Sequence, residues 1–230
     1  MGLGILKIIK QVIITLTNIH FLRFLSLTWV IAGHVYSSWV PYGHSMTNNM
    51  LIYKDWFKDG AMGAIFNAFP SVDTFFFIGA LLLTFLTLKE LDKAKDKGIG
   101  YSIGFWIKFY VHRYIRLTGV YAIILGFHAT LLKLFATGPV SKWMTEAHDL
   151  CQEHWWQNLL YINNFYYDES MLSCMGVTWY LAVDMQMFII APLVIWPLWK
   201  FPKIGLGVVG ALTTAGQLTE LYAKVLKLME

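Results

Sequence analysis

Long apolar segments alternate with shorter polar ones along most of the chain. Five segments have the roughly 17 to 25 mainly apolar residues that a membrane-spanning helix needs. The last is the weakest, because it is rich in Gly and Thr and contains Gln217. The pattern predicts an all-α protein, a polytopic bundle of about five transmembrane helices. The predicted spans comprise residues 24–40, 69–88, 117–136, 177–199 and 204–222.

The residues before the first span have a different pattern. Residues 1–22 place Lys7 and Lys10 among branched apolar side chains. Such a mixture is typical of an amphipathic helix that lies in the membrane interface. We therefore predict an interfacial helix over residues 1–22 and, because the linkers are short, a single membrane domain over residues 1–230.

Composition and charge support a membrane location. Mean hydropathy is +0.53 and only 14% of the residues are charged, so a soluble domain is not expected. Basic residues are densest between the second and third spans, and the positive-inside rule places that loop in the cytosol. The net charge of +4 then reflects orientation and contact with lipid headgroups. No basic patch interleaved with aromatic residues indicates nucleic acid. The prediction is a multi-pass protein of the endoplasmic reticulum or the plasma membrane.

Two ionisable residues, Arg23 and His34, lie in or beside the first apolar segment. Eleven residues on a helix bring them to one face, with about 20° of drift and about 16 Å of separation. An ionisable group at bilayer depth costs roughly 2.5 to 3.5 kcal/mol, so it is by default a functional hypothesis. Histidine is well suited to move a proton near neutral pH. The alternative is a histidine hydrogen-bonded within the bundle.

Arg113 and Arg116 lie one helical turn apart at the start of the third span. Together with Arg23, they would gather three guanidinium groups in the cytosolic leaflet. The planar donors of guanidinium match phosphate oxygens, so such a cluster would suit a phosphate-bearing ligand. The alternative is that each side chain snorkels to lipid headgroups.

Two carboxylates form a candidate polar site. Asp73 opens the second span, where the helix dipole alone would favour its charge. Asp184 lies well inside the fourth span, and a carboxylate there faces a cavity or pairs with a cation.

The predicted outer loop contains both cysteines, Cys151 and Cys174. An oxidising compartment and an even count predict a disulfide, which would close a loop of about 22 residues and contribute about 3 kcal/mol. The alternative is two unpaired thiols. No zinc-type spacing is present, so no metal site is predicted. The aromatic block EHWWQNLLYINNFYY in the same loop is interpreted as an interfacial belt, with a substrate-binding loop as the alternative.

Several motifs occur in an order that resembles a known family. They are the Arg-x10-His pattern of Arg23 and His34, VDTFFF, HRYIR with Arg113 and Arg116, WWQNLLYINNF, and TWYLAVDMQMF. The chain is similar to the acyltransferase 3 family, in particular to its animal branch of nose-resistant-to-fluoxetine-like proteins. The resemblance implies a bundle of about ten helices, of which residues 1–230 would form roughly half. It also implies that His34 is the catalytic residue, acting as general base or acyl carrier, and that Arg23, Arg113 and Arg116 bind the donor or orient the site.

The function implied by this resemblance is transfer of an acyl group, other than an aminoacyl group, to a hydroxyl acceptor. The expected donor is a thioester such as acyl-CoA, used as a co-substrate with no further cofactor. The expected partners are the lipid bilayer, the donor, the acceptor and the missing helices of the full-length domain. Two alternatives remain: a non-enzymatic membrane protein that transports lipids or small xenobiotic molecules, and a shortened product with no activity of its own.

Overall fold

The computed structural model describes residues 19–42, 55–56, 58–96, 103–138, 141–166 and 174–229. This part of the chain is helical and contains no β-strand, so the predicted all-α class is confirmed. Short 3-10 helices within the described residues include Leu132–Phe135, Asn163–Phe165 and Gly176–Thr178. The α-helices are α1 (Ile19–Tyr42), α2 (Gly60–Phe66), α3 (Phe69–Asp96), α4 (Ile103–Thr130), α5 (Ser141–Leu159), α6 (Trp179–Lys200) and α7 (Pro202–Met229).

Two of the predicted spans lie in helices that are long and apolar enough to cross a membrane. Among the described residues these stretches are Phe69–Lys95 and Gly176–Lys200. The first and fifth predicted spans lie in α1 and α7. The third, over residues 117–136, begins in α4 and continues past the end of that helix at Thr130 into the 3-10 helix Leu132–Phe135. A bundle of five spans therefore stays a prediction, as does the interfacial helix, because residues 1–18 lie outside the described part.

The helices extend well beyond the apolar segments that predicted them. Helix α3 continues past residue 88 to Asp96, and α4 begins at Ile103, long before residue 117. Most of the basic residues assigned to a cytosolic loop therefore lie on helices. The physical reason is that apolar runs mark the part of a helix that avoids water, whereas backbone hydrogen bonding continues through Lys- and Glu-rich turns.

Helix α5 lies within the stretch that the sequence predicted as an outer loop. Its sequence is polar overall, but His148, Cys151 and Asn158 recur at helical spacing and are buried. This one-sided burial makes α5 an amphipathic helix that packs on the protein. The sequence did not predict a helix within this connection, because a single buried stripe of mixed polar and apolar residues gives a weak hydropathy signal.

The described chain divides into two compact units. The first contains the carboxyl-terminal half of α3, α6 from residue 187 onward, and α7. Its buried residues include Leu88, Leu91 and Ile195. Trp199 on α6 donates from Nε1 to Asp92 on α3 over 2.7 Å.

A close helix-to-helix approach also marks the first unit. The turn between α6 and α7 brings Gly205 against the backbone of Leu198. A Cβ at residue 205 would lie 2.9 Å from the Leu198 Cβ and closer still to its backbone. Only glycine fits this contact without a shift of the helices.

The second unit contains α1, α2, the start of α3, α4, α5 and the start of α6. Its core is built around Leu125, Cys151 and Cys174, which are almost completely buried. Ala129 and Leu159 pack against this cluster. All of the predicted site residues of α1, α4 and α6 lie in this unit.

Candidate functional site

Arg23 and His34 lie on one uninterrupted helix, α1. Its buried face is centred on Ile19, Ser26 and Gly33, which are buried and spaced seven residues apart. At 100° per residue, Arg23 and His34 lie about 60° and 80° from the centre of that face, on the same flank. Arg23 is half-buried and His34 is exposed. Arg23 and His34 therefore lie on the same side of α1, as the spacing predicted. Their chemical roles stay predictions.

The short helix α2 holds α1 through close backbone contacts. Trp29 of α1 donates from Nε1 to the carbonyl oxygen of Ala64 over 2.8 Å. Gly33, next to His34, faces the end of α2 so closely that a Cβ there would lie 2.6 Å from the Ala68 Cβ. This contact fixes the rotation of α1 at the level of the histidine.

Arg113 on α4 and Asp184 on α6 form an ion pair. Nη2 of Arg113 donates to Oδ2 of Asp184, and the two side chains are 26% and 32% exposed. Of the two alternatives for Asp184, a cavity or a cationic partner, the structure shows the partner, Arg113. Arg116 and Asp73 are exposed on their helices. A gathering of Arg23, Arg113 and Arg116 stays a prediction.

The end of α5 and the segment that follows it pack against both α4 and α6, and we call this region the polar wedge. Its members Asn158, Tyr161 and Asn163 are buried. Tyr161 Oη lies 3.0 Å from Thr118 Oγ1 on α4. On the α6 side, Gln186 donates from Nε2 to the Tyr161 carbonyl oxygen over 2.9 Å and to Asn164 Oδ1 over 2.8 Å. The polar wedge comprises Asn158, Tyr161, Asn163 and Asn164.

Tyr161 ends helix α5 in the left-handed conformation, with φ of 57°. Glycine usually fills this position, because a side chain there costs on the order of 1–3 kcal/mol. The buried ring offsets that cost by packing edge-on to Tyr114 and beside Tyr121. Burial raises the pKa of Tyr161 above its ordinary value of 10.0, although the Arg113 charge opposes the shift. The hydroxyl therefore stays protonated at neutral pH.

A second set of buried bonds joins the wedge to the start of α6. Asn158 donates from Nδ2 to Tyr121 Oη over 2.8 Å and to the Cys174 carbonyl oxygen over 2.9 Å. Thr178 Oγ1 donates to the Met175 carbonyl oxygen over 2.7 Å, and Tyr121 Oη lies 2.7 Å from it. Because the Thr178 proton is used, Tyr121 is the donor in that contact.

Cys151 and Cys174 are joined by a disulfide, which confirms the predicted pairing. Their Cα atoms are 4.5 Å apart. The bond fastens α5 to the residues just before α6, beside the Asn158 network. The polar wedge and the disulfide therefore both connect α5 to the residues at the start of α6.

Sequence reasoning missed the polar wedge and its partners Tyr121 and Thr178. The interpretation of the aromatic block as an interfacial belt fits Trp155 and Trp156, which are 46% and 40% exposed. It does not fit the buried asparagines between and after the aromatic residues. The available signal was the presence of several amide side chains in an aromatic segment, because buried amides need partners.

Comparison with known proteins places the sequence in a family. The sequence profile described as "Acyltransferase domain" of the acyltransferase 3 family matches residues 16–218. The chain belongs to the acyltransferase 3 family. The match includes Arg23, His34, the Arg113–Asp184 pair and the polar wedge. No solved structure matches the chain.

Relatives of this acyltransferase 3 chain come from animals and bacteria. It is 35% identical over 214 residues to "Nose resistant to fluoxetine protein 6" of Caenorhabditis elegans, covering 90% of this chain and 25% of that protein. It is 26% identical over 198 residues to "Regulator of hypoxia-inducible factor 1" of the same organism, covering 80% and 35%. It is 28% identical over 147 residues to the Staphylococcus aureus (strain COL) protein named "Putative O-acetyltransferase SACOL0978", covering 62% and 21%. The chain thus spans about a third or less of the length of these relatives.

Proposed function

We propose that this chain forms part of a multi-pass membrane O-acyltransferase. The enzyme transfers an acyl group from a thioester donor such as acyl-CoA to a hydroxyl acceptor. The observation that carries the proposal is the family match over residues 16–218, which includes Arg23 and His34 on one helix. The name of the staphylococcal relative supports acetyl transfer to oxygen as the reaction type.

His34 is the general base of the proposed reaction. The acceptor hydroxyl oxygen attacks the thioester carbon, and the imidazole takes the hydroxyl proton as the new C–O bond forms. The C–S bond then breaks, and the leaving thiolate takes up that proton. Arg23, Arg113 and Arg116 bind the phosphate groups of the donor, because guanidinium matches phosphate in charge and geometry.

The surface of α1 supports a membrane setting for this reaction. Phe21, Phe24 and Ile31 on this helix are 60%, 64% and 53% exposed. Large apolar side chains in this arrangement suit contact with lipid or with other membrane helices. Together with the two apolar helices α3 and α6, they support a multi-pass protein.

The test compares two histidines of α1 in the same membranes. Purified membranes that contain the chain, or the longer protein in which it occurs, are supplied with acetyl-CoA, and release of free coenzyme A thiol is measured. His34→Ala is expected to lower the rate by about 100-fold or more, the range for loss of a general base. The matched control is His20→Ala, since His20 is exposed on the same helix and should leave the rate unchanged.

Equal rates for His34→Ala and the unaltered protein, at equal expression, would exclude the mechanism. Transport without chemistry would give a different result. Substrate flux would then survive His34→Ala but respond to Asp184→Asn, and no coenzyme A thiol would be released. His34→Ala and Asp184→Asn, measured in both assays, therefore separate the enzymatic and the transport hypotheses.

A further inference from the structure

The Arg113–Asp184 pair lies at a partly open position of the second unit. Its side chains are about one-quarter and one-third exposed. Part of the guanidinium surface is therefore accessible to a ligand. Hydrogen bonds between Tyr121 and Thr178, and from Gln186 to the Tyr161 carbonyl oxygen, already connect α4 and the end of α5 to the start of α6. The pair can therefore serve a role besides connecting the two helices.

The packing around the pair determines where Asp184 lies relative to α4. Tyr161 bonds to Thr118 on α4, five residues from Arg113. Its carbonyl oxygen accepts from Gln186 on α6, two residues from Asp184. The wedge thus sets the register of both helices at the level of the pair. The backbone of α6 holds Asp184 in this register. Its carboxylate therefore contacts the end of the long, flexible Arg113 side chain from a fixed position.

An arginine that binds a phosphate group benefits from being held before the ligand arrives. The side chain carries about 2 kcal/mol of rotamer entropy, part of which is lost when it binds. A partner that fixes the guanidinium removes part of this cost in advance. The carboxylate also opposes the approach of an anion, so the two effects of Asp184 have opposite signs.

We propose that Asp184 is a positioning residue that orients the Arg113 guanidinium toward an anionic, phosphate-bearing part of the acyl donor. This inference rests on the proposed function, because it takes the donor to carry phosphate. The carboxylate oxygen of Asp184 accepts the hydrogen bond that orients the guanidinium, whereas the negative charge of Asp184 weakens binding of the anionic ligand. Substitutions that remove the charge alone, or the charge and the acceptor together, therefore separate the two effects.

The test measures binding of coenzyme A to the purified full chain by calorimetry, without turnover. Asp184→Asn keeps an acceptor oxygen and is expected to bind within about threefold of the unaltered chain. Asp184→Ala removes the acceptor and is expected to bind roughly tenfold more weakly. The matched control is Asp149→Asn, because Asp149 pairs with Lys133 over 3.6 Å at an exposed site and should not affect binding.

A double-mutant cycle provides the readout that a merely structural role would not change. In an Arg113→Lys background, the difference between Asn and Ala at residue 184 should disappear, because lysine has no planar fork to orient. If Asp184→Ala does not accumulate in folded form, Asp184→Ser replaces it, since its hydroxyl is too short to reach the guanidinium.

Binding by Asp184→Ala that is equal to or tighter than binding by Asp184→Asn would overturn the inference. So would an Asn-to-Ala difference that persists without Arg113, or a complete lack of coenzyme A binding by the unaltered chain. Failure of the proposed function is seen separately, as thiol release that survives His34→Ala. Coenzyme A binding that responds to Asp184 in such a protein would keep the inference and exclude the catalytic role of the histidine.

Discussion

Helices α1 and α4 each carry predicted site residues, but the protein holds them in different ways. Helix α1 is held mainly by close packing of Gly33 against Ala68, together with a hydrogen bond from Trp29 to a carbonyl oxygen of α2. Helix α4 is held by polar side chains, through Tyr121, Thr118 and Arg113. Polar bonds have directions, so they fix one register, whereas close packing fixes distance and rotation.

This difference predicts which substitutions each part of the candidate site should tolerate. The proposed proton-transfer residue lies on a helix whose position depends on steric fit. The proposed donor-binding arginine lies on a helix whose position depends on a connected hydrogen-bond network. Changes in side-chain volume should therefore affect α1, while loss of single polar atoms should affect α4.

The largest expected effect on the α4 side is loss of the disulfide. Replacing both Cys151 and Cys174 with serine should lower the free energy of unfolding by about 3 kcal/mol, because the loop between them is no longer closed in the unfolded chain. Thermal unfolding in detergent, followed by intrinsic tryptophan fluorescence, measures the change. Treatment with a reductant should reproduce it in the unaltered chain and have no effect on the double variant. An unchanged melting temperature in the double variant would show that the wedge secures this junction alone.

Asn158 tests the wedge itself. Asn158→Ala removes the buried hydrogen bonds of the amide and leaves Tyr121 Oη and the Cys174 carbonyl oxygen with one partner fewer, which should cost about 1–3 kcal/mol. The same unfolding measurement applies. Gln152→Ala is the control, because Gln152 is exposed on the same helix and should change stability by less than about 0.5 kcal/mol. Equal effects of the two variants would contradict the role of the network.

Gly33 tests the α1 side of the comparison. Gly33→Ala places a Cβ within 2.6 Å of the Ala68 Cβ and 3.2 Å of the Ile65 carbonyl oxygen, so α1 must shift away from α2. Overpacking of this kind should cost about 1–2 kcal/mol.

The control for Gly33 lies on another long helix. Gly79→Ala in α3 meets nothing within 4 Å and should be neutral, or stabilising by up to about 1 kcal/mol through helix propensity. Stability that rises in both variants would show that α1 is not held by steric fit. Thiol release in the acyl-transfer assay should fall for Gly33→Ala, because His34 is the next residue.

The sequence predicted the helical class and the centres of the long helices, because apolar runs of spanning length are a strong signal. It did not predict α5, where the buried stripe mixes His148, Cys151 and Asn158. It also placed the start of α4 too late, since Lys108 and Arg113 interrupt the apolar run without interrupting the helix. Hydropathy indicates whether a side chain prefers water or an apolar environment. The backbone hydrogen bonds of a helix do not depend on that preference, so a helix can extend beyond its apolar segment.

The candidate site was predicted in part. Pairing of the two cysteines followed from their number and compartment, and a cationic partner for Asp184 was one of two alternatives that followed from the cost of an isolated charge. That this partner is Arg113 did not follow, because the two residues are far apart in sequence and no local pattern links them. Tyr161 was missed for the same reason: its left-handed backbone and its contacts depend on how α4 and α6 pack.

The contact of Gly205 with Leu198 has a consequence for biosynthesis. Helices α6 and α7 meet backbone to backbone directly after the turn at Phe201, so neither can reach its final position before the other is present. They are expected to fold together as one helical hairpin. A bulky residue at position 205 should therefore lower the yield of folded protein before it affects any chemistry.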